Sequence, residues 1–373
     1  MPAGPAKSIH GSFSIPSLDG LRAIAVLVVF VGHGVTAPGS WPGHVGVTIF
    51  FFLSGYLITT LLRREYESAG RISLSKFYLR RAIRILPPAY LAIGAGVLLG
   101  AIGVLSATTT GWGVLAEALN YTNYYLVVAG PDGLPPETSM LWSLAVEEHF
   151  YLLFPALLIV LFARRLTRRR VGVILLIACG LAVAWRTVLF LSDASFYRLY
   201  TSTDTRFDSL LIGAAMALMF NPALGDDAPW KISDRVIRRV FVPIAVVAFG
   251  LAAVIPLQAF RLTVADTVQY LALIPIFWFV IREPGGWAGK VLNNRFVVRI
   301  GVLSFSIYLF HRMIIACFDQ IWSSAPAVDA VSLIATILVA QLVYSLVERP
   351  LGMTRRKLEA RIPTRRTVRD ISN

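Results

Sequence analysis

The sequence predicts an all-α fold: a polytopic membrane helical bundle of about ten transmembrane helices, with one outer-side, partly re-entrant segment. Three observations predict it. The 373 residues are 56% hydrophobic and only 15% charged, whereas soluble domains are about 25% charged. Mean hydropathy is +0.68. Apolar runs near membrane-crossing length recur along the chain, separated by short basic stretches. The net charge of +14 would point a soluble chain toward nucleic acid. In so apolar a chain it marks basic loops held on one side of a bilayer. The expected partner is therefore lipid, with no nucleic acid. Cys179 and Cys317 both fall in apolar runs, and no metal-ligand spacing is present. No metal is expected.

In order, residues 1–17 are polar, with Pro and Gly, and read as a cytoplasmic tail. The first span is placed at 21–35. It lacks a small-residue cleavage site and carries His33, so it reads as a retained span. An uncharged loop leads to a second span at 45–62, containing FFFLSGYL. A basic stretch follows, amphipathic in its second half, and ends at Pro87-Pro88, where the chain is expected to bend or restart. Span three is placed at 88–105. Further spans are placed at 140–162, 171–191, 207–220, 241–257, 267–281, 301–321 and 328–347. Residues 18–350 form the membrane domain, and 351–373 a basic cytoplasmic tail.

Residues 111–129 are ambiguous, because Glu117, Asn120 and Asn123 interrupt the apolar pattern. Charge decides. If this run crossed, ARRLTRRR would lie outside, against the positive-inside rule. If it does not cross, ten spans remain, both termini are cytoplasmic, and 30 of the 35 Lys and Arg face the cytoplasm. Residues 106–139 are therefore placed outside and covered by protein, since irregular backbone is not tolerated against lipid.

Ionisable residues inside spans mark functional positions. Arg22 and His33 are eleven residues apart, ~16 Å along a helix and nearly on one face. Arg22 stands at the rim and His33 well inside. His33 suits a general base, with helix packing as the plainer alternative. Arg80, Arg81 and Arg84 stand at the inner membrane face, Arg84 sharing a face with either of the others. They read as topology anchors or as a phosphate clamp, which Arg22 would join. Ser143, Glu147 and Tyr151 recur every fourth residue and line one helix face, with Glu148 rotated away by ~100°. Arg206 and Asp208 open a short span, as an ion pair, as a sugar-orienting pair, or with Arg206 answering Glu147. His311, in SFSIYLFH, is placed mid-span and ranks below His33. Ser54 reads as a small residue at a helix contact. No nucleophile elbow or zinc-protease motif is present.

Taken together, LDGLRAIAVLVVFVGH, GVTIFFFLSGYLI, FYLRRAIRILPPAY, LWSLAVEEHFYLLFP, TRFDSLLIGA, SFSIYLFH and VERP resemble the acyltransferase 3 family of integral-membrane O-acyltransferases. The stretches run from 18 to 350 in family order. The resemblance implies that Arg22 and His33 fill the family's Arg-x10-His pattern and that Arg81 and Arg84 fill Arg-x-x-Arg. Ser143, Leu144, Glu147 and Tyr151 fill a third pattern. It implies transfer of an acyl group, most simply acetyl, from cytoplasmic acyl-CoA to a hydroxyl of an envelope polysaccharide, glycolipid or exported glycoside. Arg22, Arg80, Arg81 and Arg84 would hold the donor, and His33 would be the base. Glu147 or Asp208 would orient the imidazole or bind the acceptor, while Ser143, Tyr151, Arg206 and His311 would line the substrate path. A covalent acyl-histidine is the alternative order of events. Some relatives carry a fused SGNH-type domain, and this sequence, running only a little past VERP, is expected to act without one. The location implied is the cytoplasmic membrane. The rival reading is a transporter or flippase for a lipid-linked sugar. Oligomeric state is not legible.

Overall fold

The computed structural model describes residues 15–36, 42–106, 108–228, 231–322 and 324–361. Residues 1–14 and 362–373, which hold most of the two expected tails, lie outside the described residues, as do 37–41 of the first loop. The described residues form helices and no strand. The helices are α1 (Leu18–His33), α2 (His44–Ala69), α3 (Leu74–Ala101), α4 (Gly111–Ala118), α5 (Thr122–Ala129) and α6 (Trp142–Ala163). Next come α7 (Arg168–Leu191), α8 (Phe196–Tyr200), α9 (Thr203–Met219), α10 (Asp234–Val236) and α11 (Val242–Val254). The series ends with α12 (Gln258–Thr263), α13 (Ala265–Arg282), α14 (Trp287–Leu292), α15 (Arg295–Asp319), α16 (Ala325–Val343) and α17 (Arg349–Arg361). π-helical turns at Ile237–Phe241 and Tyr344–Glu348 join α10 to α11 and α16 to α17.

Nine helical segments among the described residues are long and apolar enough to cross a membrane. α1 is the tenth candidate; its 16 residues extend ~24 Å. The chain is a helical membrane protein. Residues 111–129 form two helices of 8 residues each, too short at ~12 Å to cross a core of ~30 Å. Successive long helices run in opposite directions. The short helices α4, α5, α8 and α12 therefore all fall at the end of the bundle where α1 finishes, the His33 end. Arg22 lies toward the opposite end.

Three features differ from the sequence expectations. α3 passes through Pro87 and Pro88 as one helix. The prolines deprive the Ile83 and Arg84 carbonyls of their helical N–H partners, a loss that packed membrane helices tolerate. His33 is the last residue of α1, with Gly34 extended behind it, so it stands at a helix end, not well inside the span. The chain beyond Glu348 continues as a helix to Arg361.

Helices α1, α2, α9 and α15 pack at the centre. A Cβ on Gly55 would lie 2.0 Å from the Leu210 carbonyl oxygen, and one on Gly213 2.2 Å from that of Phe52. Small residues let membrane helices approach until van der Waals packing holds them. Gly55 thus carries the close contact expected of Ser54, and Ser54 is left to face a cavity. α11 exposes Ile244, Val246, Val247, Leu251 and Val254, the apolar surface a helix presents to lipid.

Candidate functional site

A slot of about 100 Å³ runs between α1, α2, α3, α6 and α15. One part of its wall carries Arg22, Arg81 and Arg84, another Ser54, Glu147 and Tyr151, and another Ser143 and Tyr308. The residues between are apolar, among them Phe50, Phe51, Leu53 and Leu57. The slot is small and mostly apolar.

The three arginines differ in what holds them. Arg22 pairs with Asp19 at 2.7 Å. Arg81 and Arg84 have no carboxylate within salt-bridge distance among the described residues. Arg81 lies over the Phe77 and Tyr151 rings, 5.8 and 5.4 Å from their centroids, and its buried Nε has no hydrogen-bond partner. Guanidinium groups gathered without counter-ions suit a polyanion. Arg80 is not part of the group. It pairs with Glu65 at 3.2 Å and lines no cavity described here.

Ser143, Glu147 and Tyr151 share the slot, as their spacing on α6 requires. The Tyr151 hydroxyl donates to Glu147 Oε2 at 2.6 Å. Ser143 Oγ and Tyr308 Oη are 2.7 Å apart, and both hydroxyls reach the Met140 carbonyl.

One turn beyond Tyr308, α15 carries His311, fully buried. His311 Nδ1 is 2.7 Å from the Tyr308 carbonyl oxygen, an acceptor, so Nδ1 carries the proton. His311 Nε2 is then an acceptor, 3.2 Å from His33 Nδ1. His33 Nδ1 also lies 2.9 Å from the Val29 carbonyl oxygen, so it too is the protonated nitrogen and donates to both. This tautomer leaves His33 Nε2 with a free lone pair. The pair sits beside a bridge between Arg312 and Glu137, whose oxygen is 2.8 Å from Nε and 2.6 Å from Nη2. Glu137 has φ 60° and follows Pro135-Pro136, so the 106–139 segment presents it from a stiff loop.

The structure does not bring Glu147 or Asp208 to the hydrogen-bonding atoms of His33. The groups that orient this imidazole are His311 and the Val29 carbonyl. Asp208 is fully buried and held by Arg186 Nη2 at 3.0 Å and Thr267 Oγ1 at 2.9 Å. Arg206 pairs with Asp266, not with Asp208 or Glu147, and lies over the Tyr200 and Trp142 rings. Sequence reasoning did not find Tyr308, Glu137, Arg312, Arg186 or Asp266. For Glu137 the Pro-Pro-Glu run was a usable cue. For Arg186 and Asp266 it was a lone charge in an apolar run, which names no partner. No cluster of metal-binding side chains is found among the described residues.

On the loop side, Glu117 in α4 is buried and accepts a hydrogen bond from the Thr138 hydroxyl at 2.5 Å. Burial pushes its carboxyl up to about 8, against a smaller lowering by that bond.

A family model described as an acyltransferase domain matches residues 15–345. The peptidoglycan O-acetyltransferase OatA of Listeria monocytogenes is 30% identical, over 90% of this chain and 56% of its own length. The O-acetyltransferase OatA of Staphylococcus aureus (strain MRSA252) is 26% identical, over 95% of this chain and 60% of its own. The chain thus spans somewhat more than half the length of these curated relatives. No solved structure matches it.

Proposed function

Because the chain belongs to the acyltransferase-domain family, we propose that it transfers an acyl group, most simply acetyl, from cytoplasmic acyl-CoA to a sugar hydroxyl of a cell-envelope glycan. The observation that carries this is a cationic slot next to a histidine pair. Arg81 and Arg84 stand on its wall with no carboxylate within salt-bridge distance among the described residues, and Tyr308, also on its wall, is one helical turn from His311, which holds an imidazole with a free nitrogen. The donor's phosphates suit the arginines, with Arg22 beside them. The small, mostly apolar slot suits the pantetheine arm. Charge asymmetry favours an arginine end at the cytoplasm, in the cytoplasmic membrane, with the acceptor arriving at the His33 end. The names of the Listeria and Staphylococcus relatives favour acetyl, and the Listeria name favours peptidoglycan as the acceptor.

His33 Nε2 takes the proton of the acceptor hydroxyl as its oxygen attacks the thioester carbonyl carbon. The carbon–sulfur bond breaks, and the departing thiolate receives that proton from His33. His311 acts through His33 by fixing its tautomer. Glu147, tied to Tyr151, shapes the slot.

Membranes containing the protein, given acetyl-labelled acetyl-CoA, should pass label to an extractable glycan. His33→Ala should abolish this while the protein still inserts. Full transfer by His33→Ala would overturn the assignment. Saccharide counter-flow without use of acetyl-CoA would favour a transporter.

A further inference from the structure

A second cavity, about 400 Å³, opens at the His33 end between the start of α2, α8, α12 and the start of α13. Its volume falls in the range of small-ligand sites, about 300–1,000 Å³. It is separate from the slot and shares no lining residue with it. Phe196 and Tyr200 form an aromatic wall, their rings stacked 5.0 Å apart at 16°. Tyr200 is fixed from behind. Trp142 packs on it at 5.0 Å, and the Arg206 guanidinium lies 5.3 Å from its centroid. Arg206 is itself buried, pinned by Asp266, and its Nε and Nη2 have no hydrogen-bond partner.

Of the polar groups that line this cavity, only Asp266 is engaged among the described residues. Asp266 lines the cavity while accepting from Arg206. The side chains of His44, Gln258 and Arg261 line it with no hydrogen bond or ion pair among the described residues. An aromatic pair and forked donors and acceptors lining one cavity match one ligand chemistry well. The C–H face of a sugar ring packs on the aromatic wall, and its hydroxyls meet the polar groups. Arg261, a cation with no acidic partner, selects a ring bearing an anionic substituent.

The cavity is also tied to the proposed base. A Cβ on Gly43 would lie 2.9 Å from Gly32 Cα, so the backbones preceding His44 and His33 touch. A ligand held at His44 is thereby close to the turn that carries His33.

We propose that this cavity binds an acidic sugar ring of the acceptor glycan, stacked on Phe196 and Tyr200 and met by Arg261. The assignment rests on the acyl-transfer reading only for the word acceptor; the binding itself is testable alone. The full chain in detergent would be titrated by equilibrium dialysis with two labelled probes. One is a peptidoglycan tetrasaccharide stripped of stem peptides, so that it carries free carboxylates. The other is neutral chitotetraose.

Wild type should bind both saturably, the acidic probe more tightly. Phe196→Ala should weaken both about tenfold, and Phe196→Tyr should retain binding. Phe196 is 54% exposed, so its truncation removes little packing. Arg261→Gln should erase the preference for the acidic probe. Absence of saturable binding, or binding by Phe196→Ala and Arg261→Gln equal to wild type, overturns the cavity assignment. Acetyl transfer on the same preparation separates the two ideas. Binding that follows these expectations without transfer overturns the acyltransferase reading and supports the cavity. Transfer with binding unchanged in the variants overturns the cavity alone.

Discussion

Arg84→Gln separates a ligand-binding cation from a structural one. Arg84 lines the slot and has no acidic partner within salt-bridge distance among the described residues. A charge-assisted hydrogen bond to phosphate contributes roughly 1.5–3 kcal/mol. Its loss should raise the donor's KM or Kd by about 10- to 150-fold, at about 1.4 kcal/mol per factor of ten. The same change should leave stability unchanged or improve it, because it relieves repulsion from Arg22 and Arg81 and breaks no ion pair. Arg186→Gln supplies the contrast. Arg186 is 1% exposed, and donates to Asp208, to Thr267 Oγ1 and to the carbonyls of Thr205 and Thr263. Removing one partner of such a buried pair costs roughly 3–5 kcal/mol. Acetyl-CoA titration of turnover gives the first quantity, and thermal unfolding in detergent the second. Donor KM unchanged in Arg84→Gln, or unfolding as damaged as in Arg186→Gln, would refute the reasoning.

Other consequences are as direct. His33→Ala should lower kcat by roughly 10²–10⁴-fold, and His311→Ala by less, since His33 Nδ1–H keeps the Val29 carbonyl. Equal losses would argue against His33 as the base. Glu117 holds its proton in the folded state up to about 8, against an ordinary glutamate value of 4.5. The folded state therefore binds more protons between those limits, and stability falls as pH rises through that window. Glu117→Gln should flatten the decline in unfolding temperature between pH 5.5 and 8.5, and the same slope in both proteins would count against this account. Gly55→Ala places a Cβ 2.0 Å from the Leu210 carbonyl oxygen. It should destabilise by roughly 1–3 kcal/mol through overpacking, and an unchanged unfolding temperature would contradict the contact.

Hydropathy located the membrane helices because each must be apolar over its own length, whatever its neighbours do. Loop charge kept 111–129 out of that set, and the two short helices there are too short to cross. Helical spacing placed Ser143, Glu147 and Tyr151 on one wall, because a four-residue repeat fixes a shared face before any packing. What pattern does not carry is partnership across the chain. Arg206 could answer Asp208, Glu147 or any other acid. Only the packing of α9 against α13 decides for Asp266. The depth of His33 was misjudged for a related reason. An apolar run continuing to Val35 reads as helix, while Gly34 stops it one residue after the imidazole.

That early stop has a chemical consequence. A histidine within a continuing helix is enclosed by the turns on either side of it. At the end of α1, His33 is anchored through Nδ1 alone, to the Val29 carbonyl and to His311, and its Nε2 is left for another group. The partner that fixes its tautomer comes from 278 residues away. The bridge beside it joins Arg312 of α15 to Glu137 of the 106–139 segment. The proposed base, assembled this way, depends on α1, α15 and the 106–139 segment packing together. Loosening the Glu137–Arg312 bridge should therefore lower turnover without weakening the donor's hold on Arg81 and Arg84, because those two arginines stand on α3 and the bridge joins α15 to the 106–139 segment.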